Sequence, residues 1–269
     1  MAPLESTAPA GVWHGALRQL DYWAIVYRRT WKGSVITSFV TPFLYILAMG
    51  VLLGGFVDAD PSTLDGATTY LAFVAPGMVA SQAMTTVFGE VTYPVMGMVK
   101  WQRIYFSMTA SPLGVGDIIA AQLGFVLFRV LTSCAVFLVV LAPFGVFESW
   151  WGTLLALPVQ GLLGLAFATP IFAFSAGLRD ESAFSLVFRL GMIPLTLFSG
   201  TFFPIGNLGV VGETIAKVTP LWQGVHLTRM LVLGQVEAGW AVLHVAYLAA
   251  LAALGWWWAV RRLGRRLVQ

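Results

Sequence analysis

The chain has 269 residues, 58% of them hydrophobic and only 10% charged, with a formal net charge of +3. A water-soluble domain of this length needs a polar exterior that such a composition does not supply, which excludes an aqueous globular fold. The basic residues are sorted along the chain instead of gathered into one patch, which argues against nucleic acid as a partner.

Residues 1–10, with three Ala and two Pro, read as a disordered lead without the basic-then-apolar layout of a cleavable signal peptide. Trp13, Leu17, Leu20, Ala24, Tyr27 and Trp31 then recur at helical spacing, with Arg18, Asp21, Arg28 and Arg29 between them. This predicts an N-terminal amphipathic helix in the membrane interface, a placement compatible with packing on its own protein. The segment 1–32 is thus a cytoplasmic lead and interfacial helix, 33–262 one transmembrane domain, and 263–269 a basic cytoplasmic tail.

Within that domain we expect an all-α integral membrane fold of six transmembrane helices, at about 34–56, 68–88, 118–142, 150–178, 183–203 and 239–260. A bilayer core of about 30 Å takes roughly 20 apolar residues as helix, because only internal hydrogen bonds can satisfy the backbone there. Pro76 falls at mid-depth in the second span and favours an interior, cavity-lining position. Between spans 2 and 3, Met96, Met98, Val99, Trp101, Ile104, Tyr105 and Phe106 are mixed with Lys100 and Arg103, and a Ser111-Pro112-Leu113-Gly114 break follows. A short cytoplasmic amphipathic helix, its apolar groups covered by lipid or a partner protein, is the physical reading.

Span 3 carries Arg129 about 18 Å along the helix from Asp117, near mid-membrane. A charge there costs about 2.5–3.5 kcal/mol even on mild scales, so it should face the bundle interior, a wet cavity or a carboxylate, with Glu90 and Asp117 as candidate partners. Two readings stand side by side: a structural pair or snorkelling group, and a contact on a substrate path. Span 5 ends in Phe198-Ser199-Gly200-Thr201-Phe202-Phe203-Pro204, where Gly200 and Pro204 discourage further helix. Residues 205–237 are too apolar for a solvent loop and are divided by Pro220, which predicts a re-entrant or interfacial helical hairpin on the outer side.

Charge then orients the chain. With six spans, Arg18, Arg28, Arg29, Lys32, Lys100, Arg103, Arg179, Arg189, Arg261, Arg262, Arg265 and Arg266 share one side, while Lys217 and Arg229 lie on the other with Asp58, Asp60 and Asp65. The positive-inside rule puts both termini in the cytoplasm of a multi-pass membrane protein, and lipid headgroup contact accounts for most of these charges.

No catalytic, cofactor or metal site is expected in the chain. The residues after Lys32, Lys100 and Lys217 are Gly33, Trp101 and Val218, so no phosphate-cradling P-loop is present. His14, His226 and His244 lie in three separate stretches, and Cys134 is the sole cysteine, so a zinc site and a disulfide are not expected. Ser175 and Ser199 sit near glycine but outside a hydrolase elbow. A carrier without rows of intramembrane acids points to an external energy source.

The stretches Tyr70-Leu71-Ala72-Phe73-Val74-Ala75-Pro76-Gly77-Met78, Glu90 to Tyr93, Leu155-Ala156-Leu157-Pro158, Gly164-Leu165-Ala166-Phe167, Phe198 to Pro204, and Pro220-Leu221 with Arg229 and Gly234 run in order over nearly the whole chain. Together they resemble permease subunits of type-2 ATP-binding-cassette (ABC-2) exporters, above all those exporting lipo-oligosaccharide nodulation signals and, more loosely, drug-resistance permeases. The resemblance implies a bacterial inner-membrane exporter in which a second permease copy forms a homodimer and two cytoplasmic ATP-binding subunits, carrying ATP and Mg, dock beneath. It assigns ATPase coupling to Met96, Val99, Lys100, Trp101, Arg103 and Ile104, with Arg179, Asp180 and Glu181. It makes Phe198, Phe202 and Phe203 an outer gate with Ser199 and Thr201 as polar neighbours, on a route lined by spans 2 and 5; the aromatics could equally pack a dimer. Pro76 and Arg129 are path candidates from their own positions in the spans. The implied activity is ATP-driven efflux of lipid-linked, glycolipid or drug-like amphipathic molecules. A membrane-embedded lipid-modifying enzyme and a sensory or scaffold membrane protein are the competing classes.

Overall fold

The structure, a computed structural model, describes residues 64–108, 110 and 113–267, together with 23, 25, 27, 28, 39, 40 and 43–48. The described secondary structure is helical throughout. Helix α1 is the helical stretch Tyr70–Trp101, α2 is Ile104–Met108, α3 is Val115–Phe144 and α4 is Trp150–Gly177. They are followed by α5 (Ser182–Phe198), α6 (Gly209–Val218), α7 (Pro220–Val232) and α8 (Ala238–Leu267). Hydroxyl side chains start three of them: Thr69, Ser149 and Thr219 accept from the backbone N–H groups of Ala72, Gly152 and Trp222 at 3.1, 3.1 and 3.2 Å. Each satisfies an amide that the first helical turn leaves without an internal partner.

Among the described residues four helices, α1, α3, α4 and α8, are long and apolar enough to cross a membrane. α5 is apolar but shorter. The sequence places that span at 183–203; the helix stops at Phe198, because Gly200 adopts φ +77° and the chain turns away. The expected first span and interfacial helix fall mostly outside the described residues. Of the latter, Trp23 stacks on Phe125 of α3 at 4.7 Å and Tyr27 meets Phe128 edge-on at 5.2 Å, so part of its aromatic face packs on the protein itself.

α1 differs from expectation at its far end. The sequence suggests a span closing near 88 and a separate short helix around Met96 to Phe106. Instead helix runs to Val91, breaks locally at Thr92, and continues through Tyr93–Met96 into a π-helical Gly97–Trp101. Met98 and Val99 of this widened turn lie in the chain's own core, and Met96 just before it is buried as well.

α4 is the central helix, touching α1, α3, α7 and α8. Hydrogen bonds cross the bundle beside this apolar packing: Gln82 Nε2 donates to Ser133 Oγ at 2.9 Å between α1 and α3, and Gln160 Nε2 to Thr228 Oγ1 at 2.7 Å between α4 and α7. Such bonds matter in lipid, where burying apolar surface gives no drive to helix association. α8 closes on α4 through Gly255, where a Cβ would lie 2.2 Å from Thr169 Oγ1 and 2.7 Å from Pro170 Cδ. Gly255→Val should therefore part the two helices and lower stability by about 1–3 kcal/mol. Thermal unfolding in detergent checks this, with Gly239→Ala, which meets nothing within 4 Å, expected to be neutral.

Candidate functional site

At one end of the bundle the chain is tied together by Arg229 of α7, a residue only 4% exposed. Its Nη1 donates to Asp65 Oδ2 at 2.9 Å, and its Nη2 to the carbonyls of Gly200 at 2.7 Å and Phe73 at 3.2 Å. The guanidinium carbon also lies 3.9 Å from the centre of the Phe73 ring. One planar fork thus fastens the turn before α1, the first turns of α1 and the loop after α5. Only arginine offers this many fixed donors with a face that stacks on an aromatic ring.

The loop after α5 is latched to α1 at further points. Thr201 Oγ1 lies 3.2 Å from Ser81 Oγ and 3.1 Å from Ser199 Oγ, and Tyr70 OH donates to the Phe202 carbonyl at 3.0 Å. A Cβ on Gly77 would fall 2.8 Å from Thr201 Cα, so the missing side chain is what lets the loop touch the helix. Pro76 beside it is buried in α1 and supplies no N–H to that turn.

Between α5 and α6 lies a hollow of about 400 Å³, lined by Leu190, Pro194, Leu195 and Phe198 on one side and Leu208, Ile215 and Ala216 on the other. Ser199 also borders it, fully buried and with its hydroxyl engaged by Thr201. Of the three phenylalanines expected to act together, two meet and the third packs elsewhere. Phe198 is half exposed and lines the hollow, Phe203 meets it edge-on at 6.4 Å, and Phe202 packs against the main core.

Arg129 lies away from this hollow. Its Nε donates to Glu90 Oε1 at 2.9 Å and its guanidinium approaches the Tyr27 ring at 5.6 Å. Of the two candidate carboxylates Glu90 is thus the partner, while Asp117 accepts from the Gly114 N–H at 3.0 Å at the start of α3. The pair meets the electrostatic need of Arg129 without any ligand.

At the other end, the two stretches assigned to coupling adjoin: Lys100 Nζ donates to the Arg179 carbonyl at 3.1 Å. Their apolar residues do not all present themselves for a partner. Met96 and Val99 are buried and Ile104 packs on the core, whereas Lys100, Trp101, Arg103, Arg179, Asp180 and Glu181 are exposed. Ser182 donates to both carboxylate oxygens of Asp180, through its N–H and hydroxyl, which holds that carboxyl below its usual range.

Sequence reasoning missed two arrangements. Arg229 reads as an outer-side charge in topology counting, although a lone cation in the apolar run 220–233 is itself a signal of burial. His226 and His244, which sit in separate stretches, meet with Nδ1 and Nε2 at 2.9 Å, and His244 Nδ1 contacts Gln223 Oε1. Trp222 stacks on His226 and Trp240 on His244. Among the described residues no cluster of three His, Cys, Asp or Glu side chains suited to a metal ion is formed.

Long apolar helices joined by buried polar ties define an all-helical integral membrane protein. The chain belongs to the ABC-2 type transporter family, whose match runs over residues 21–233, and it is therefore a permease component of a membrane transporter. It is 30% identical to Nodulation protein J of Rhizobium leguminosarum bv. trifolii over 254 residues, covering 92% of this chain and 94% of the relative. It is 29% identical to Nodulation protein J of Sinorhizobium fredii over 267 residues, covering 97% and 96%, and 29% identical to that of Rhizobium meliloti over 255 residues, covering 91% and 94%.

Arg229→Met should strand the Phe73 and Gly200 carbonyls and lower stability by about 2–4 kcal/mol. Arg229→Lys should recover only part of this, since an ammonium cannot reproduce the fork. Unfolding curves of both variants in detergent check the order wild type, Lys, Met.

Proposed function

We propose that the chain is the membrane half of an ATP-driven exporter that moves lipid-linked, glycolipid or drug-like amphipathic molecules out of the cytoplasm or inner leaflet. The observation that carries this reading is the α5–α6 hollow, whose walls are aliphatic and aromatic. An apolar tail gains by entering it, while a charged nutrient finds no ion partner among its lining residues. The resemblance to exporters of lipo-oligosaccharide nodulation signals favours cargo with such a tail.

In this reading six spans cross the bacterial inner membrane, the first within 34–56, with both termini cytoplasmic and α6–α7 forming the outer re-entrant hairpin. The chain pairs with a second copy, and Phe198 with Phe203 seals the outer end of the route. Two ATP-binding subunits, holding ATP and Mg, dock against Lys100, Trp101, Arg103 and the turn Arg179 to Glu181. The permease itself carries out no chemistry. α1 is the connecting element, since Trp101 lies at one end and the Ser81 contact to Thr201 belongs to the same helix.

Two measurements test this. Trp101→Ala with Arg103→Glu should reduce co-purification of a coexpressed ATP-binding subunit while membrane insertion is kept; unchanged co-purification contradicts the docking assignment. Phe198→Ala should raise the cargo concentration for half-maximal stimulation of ATP hydrolysis about tenfold, from roughly 1.4 kcal/mol of lost apolar contact. An unaltered stimulation curve removes the hollow from the route.

A further inference from the structure

The end of the bundle opposite Arg229 holds a second hollow, also of about 400 Å³, lined by Arg179, Arg262, Arg265 and Arg266 with Gly177 and Phe106. Four guanidinium groups converge there, yet the ion pairs formed among the described residues are Arg129 with Glu90, Lys217 with Glu213 and Arg229 with Asp65. The acids next along the chain do not neutralise it. Asp180 gives both its oxygens to Ser182, and neither it nor Glu181 forms an ion pair with an arginine.

The walls are fixed by the fold. Arg266 Nη1 donates to the Leu178 carbonyl at 2.7 Å, capping the C-terminus of α4, and Lys100 holds the Arg179 carbonyl from the other side. Gly177 lets Arg262 lie close across the end of α4, since a Cβ there would come within 2.1 Å of Arg262 Nε. Arg262 and Arg265 remain exposed, with donors that no described residue engages in an ion pair. On the same helix, Arg261 stacks on Trp257 at 3.9 Å, and the run Trp256-Trp257-Trp258 marks where α8 reaches the membrane–water boundary.

We propose that this hollow binds the phosphodiester headgroup of an acidic phospholipid. Planar guanidinium forks match phosphate oxygens, and an anion there relieves the mutual repulsion of the arginines. The interfacial tryptophans set the hollow at headgroup depth, where basic pockets at helix ends recognise acidic lipid headgroups. Phe106, on the short α2, gives the adjoining acyl linkage an apolar wall. This inference rests on the membrane setting of the chain and not on the cargo or the ATPase.

The test uses the full chain, extracted from vesicles of equally mixed phosphatidylglycerol and phosphatidylcholine, with retained lipid read by native mass spectrometry. Phosphatidylglycerol should be retained selectively, resist displacement by inorganic phosphate, and fall about tenfold in Arg262→Gln/Arg265→Gln but not in Lys217→Gln. Equal retention of both lipids, or retention indifferent to the double variant, overturns the proposal. So does displacement by inorganic phosphate, which would assign the hollow to the free anion. A double variant that keeps its lipid but loses a coexpressed ATP-binding subunit overturns it in favour of a protein partner. Should the double variant fail to fold, selectivity on the wild-type chain, weakening as salt is raised, still decides.

Discussion

The buried guanidinium of Arg229 is the constraint on which the far end of this bundle depends. An arginine with 4% exposure inside an apolar assembly persists only if its donors are matched, and here they are spread over Asp65 and the carbonyls of Gly200 and Phe73. Because one of those carbonyls belongs to the loop after α5, the same side chain helps fix where that loop lies. The left-handed Gly200 and the cleft over Gly77 then let Thr201 reach Ser81. What reads in the sequence as the outer end of a span is, in three dimensions, a strap drawn across α1.

Arg229 and Arg129 are thus each engaged in holding helices, Arg229 at the strap and Arg129 through Glu90 between α1 and α3. The hollow between α5 and α6 is left without a charged residue in its lining. That division of labour suits the proposed route for amphipathic cargo: fixed charge stabilises the frame, and the lining of the hollow is aliphatic and aromatic. Surplus positive charge collects instead at the opposite end, where Arg179 and the α8 arginines meet without carboxylate partners.

The long elements were legible because their cause is local. Apolar runs near 68–88, 118–142, 150–178 and 239–260, with Arg129 their one charge, have to be helical in lipid, and α1, α3, α4 and α8 fall on them. Pro220 likewise divides α6 from α7 as its lack of an N–H requires. Less legible was anything decided by contact between distant segments. The burial of Met98 and Val99 falls in a π-helical turn that composition does not announce, and the early end of α5 depends on bonds from Tyr70, Ser81 and Arg229. The pairing of His226 with His244 joins two helices whose facing surfaces periodicity alone does not identify. At the candidate site, residue types were readable but their grouping was not: Phe198 lines the hollow while Phe202 serves the core.

The central claim is that the α5–α6 hollow receives cargo and is reshaped by ATP hydrolysed in another subunit. Cys134 is the sole cysteine and is buried, so Ile215→Cys in a Cys134→Ser background gives one thiol in the lining of that hollow. The rate of its reaction with a maleimide should fall when cargo is added and shift again when the coexpressed ATP-binding subunit turns over ATP. A rate indifferent to both cargo and ATP, in a complex that hydrolyses ATP normally, would contradict the account.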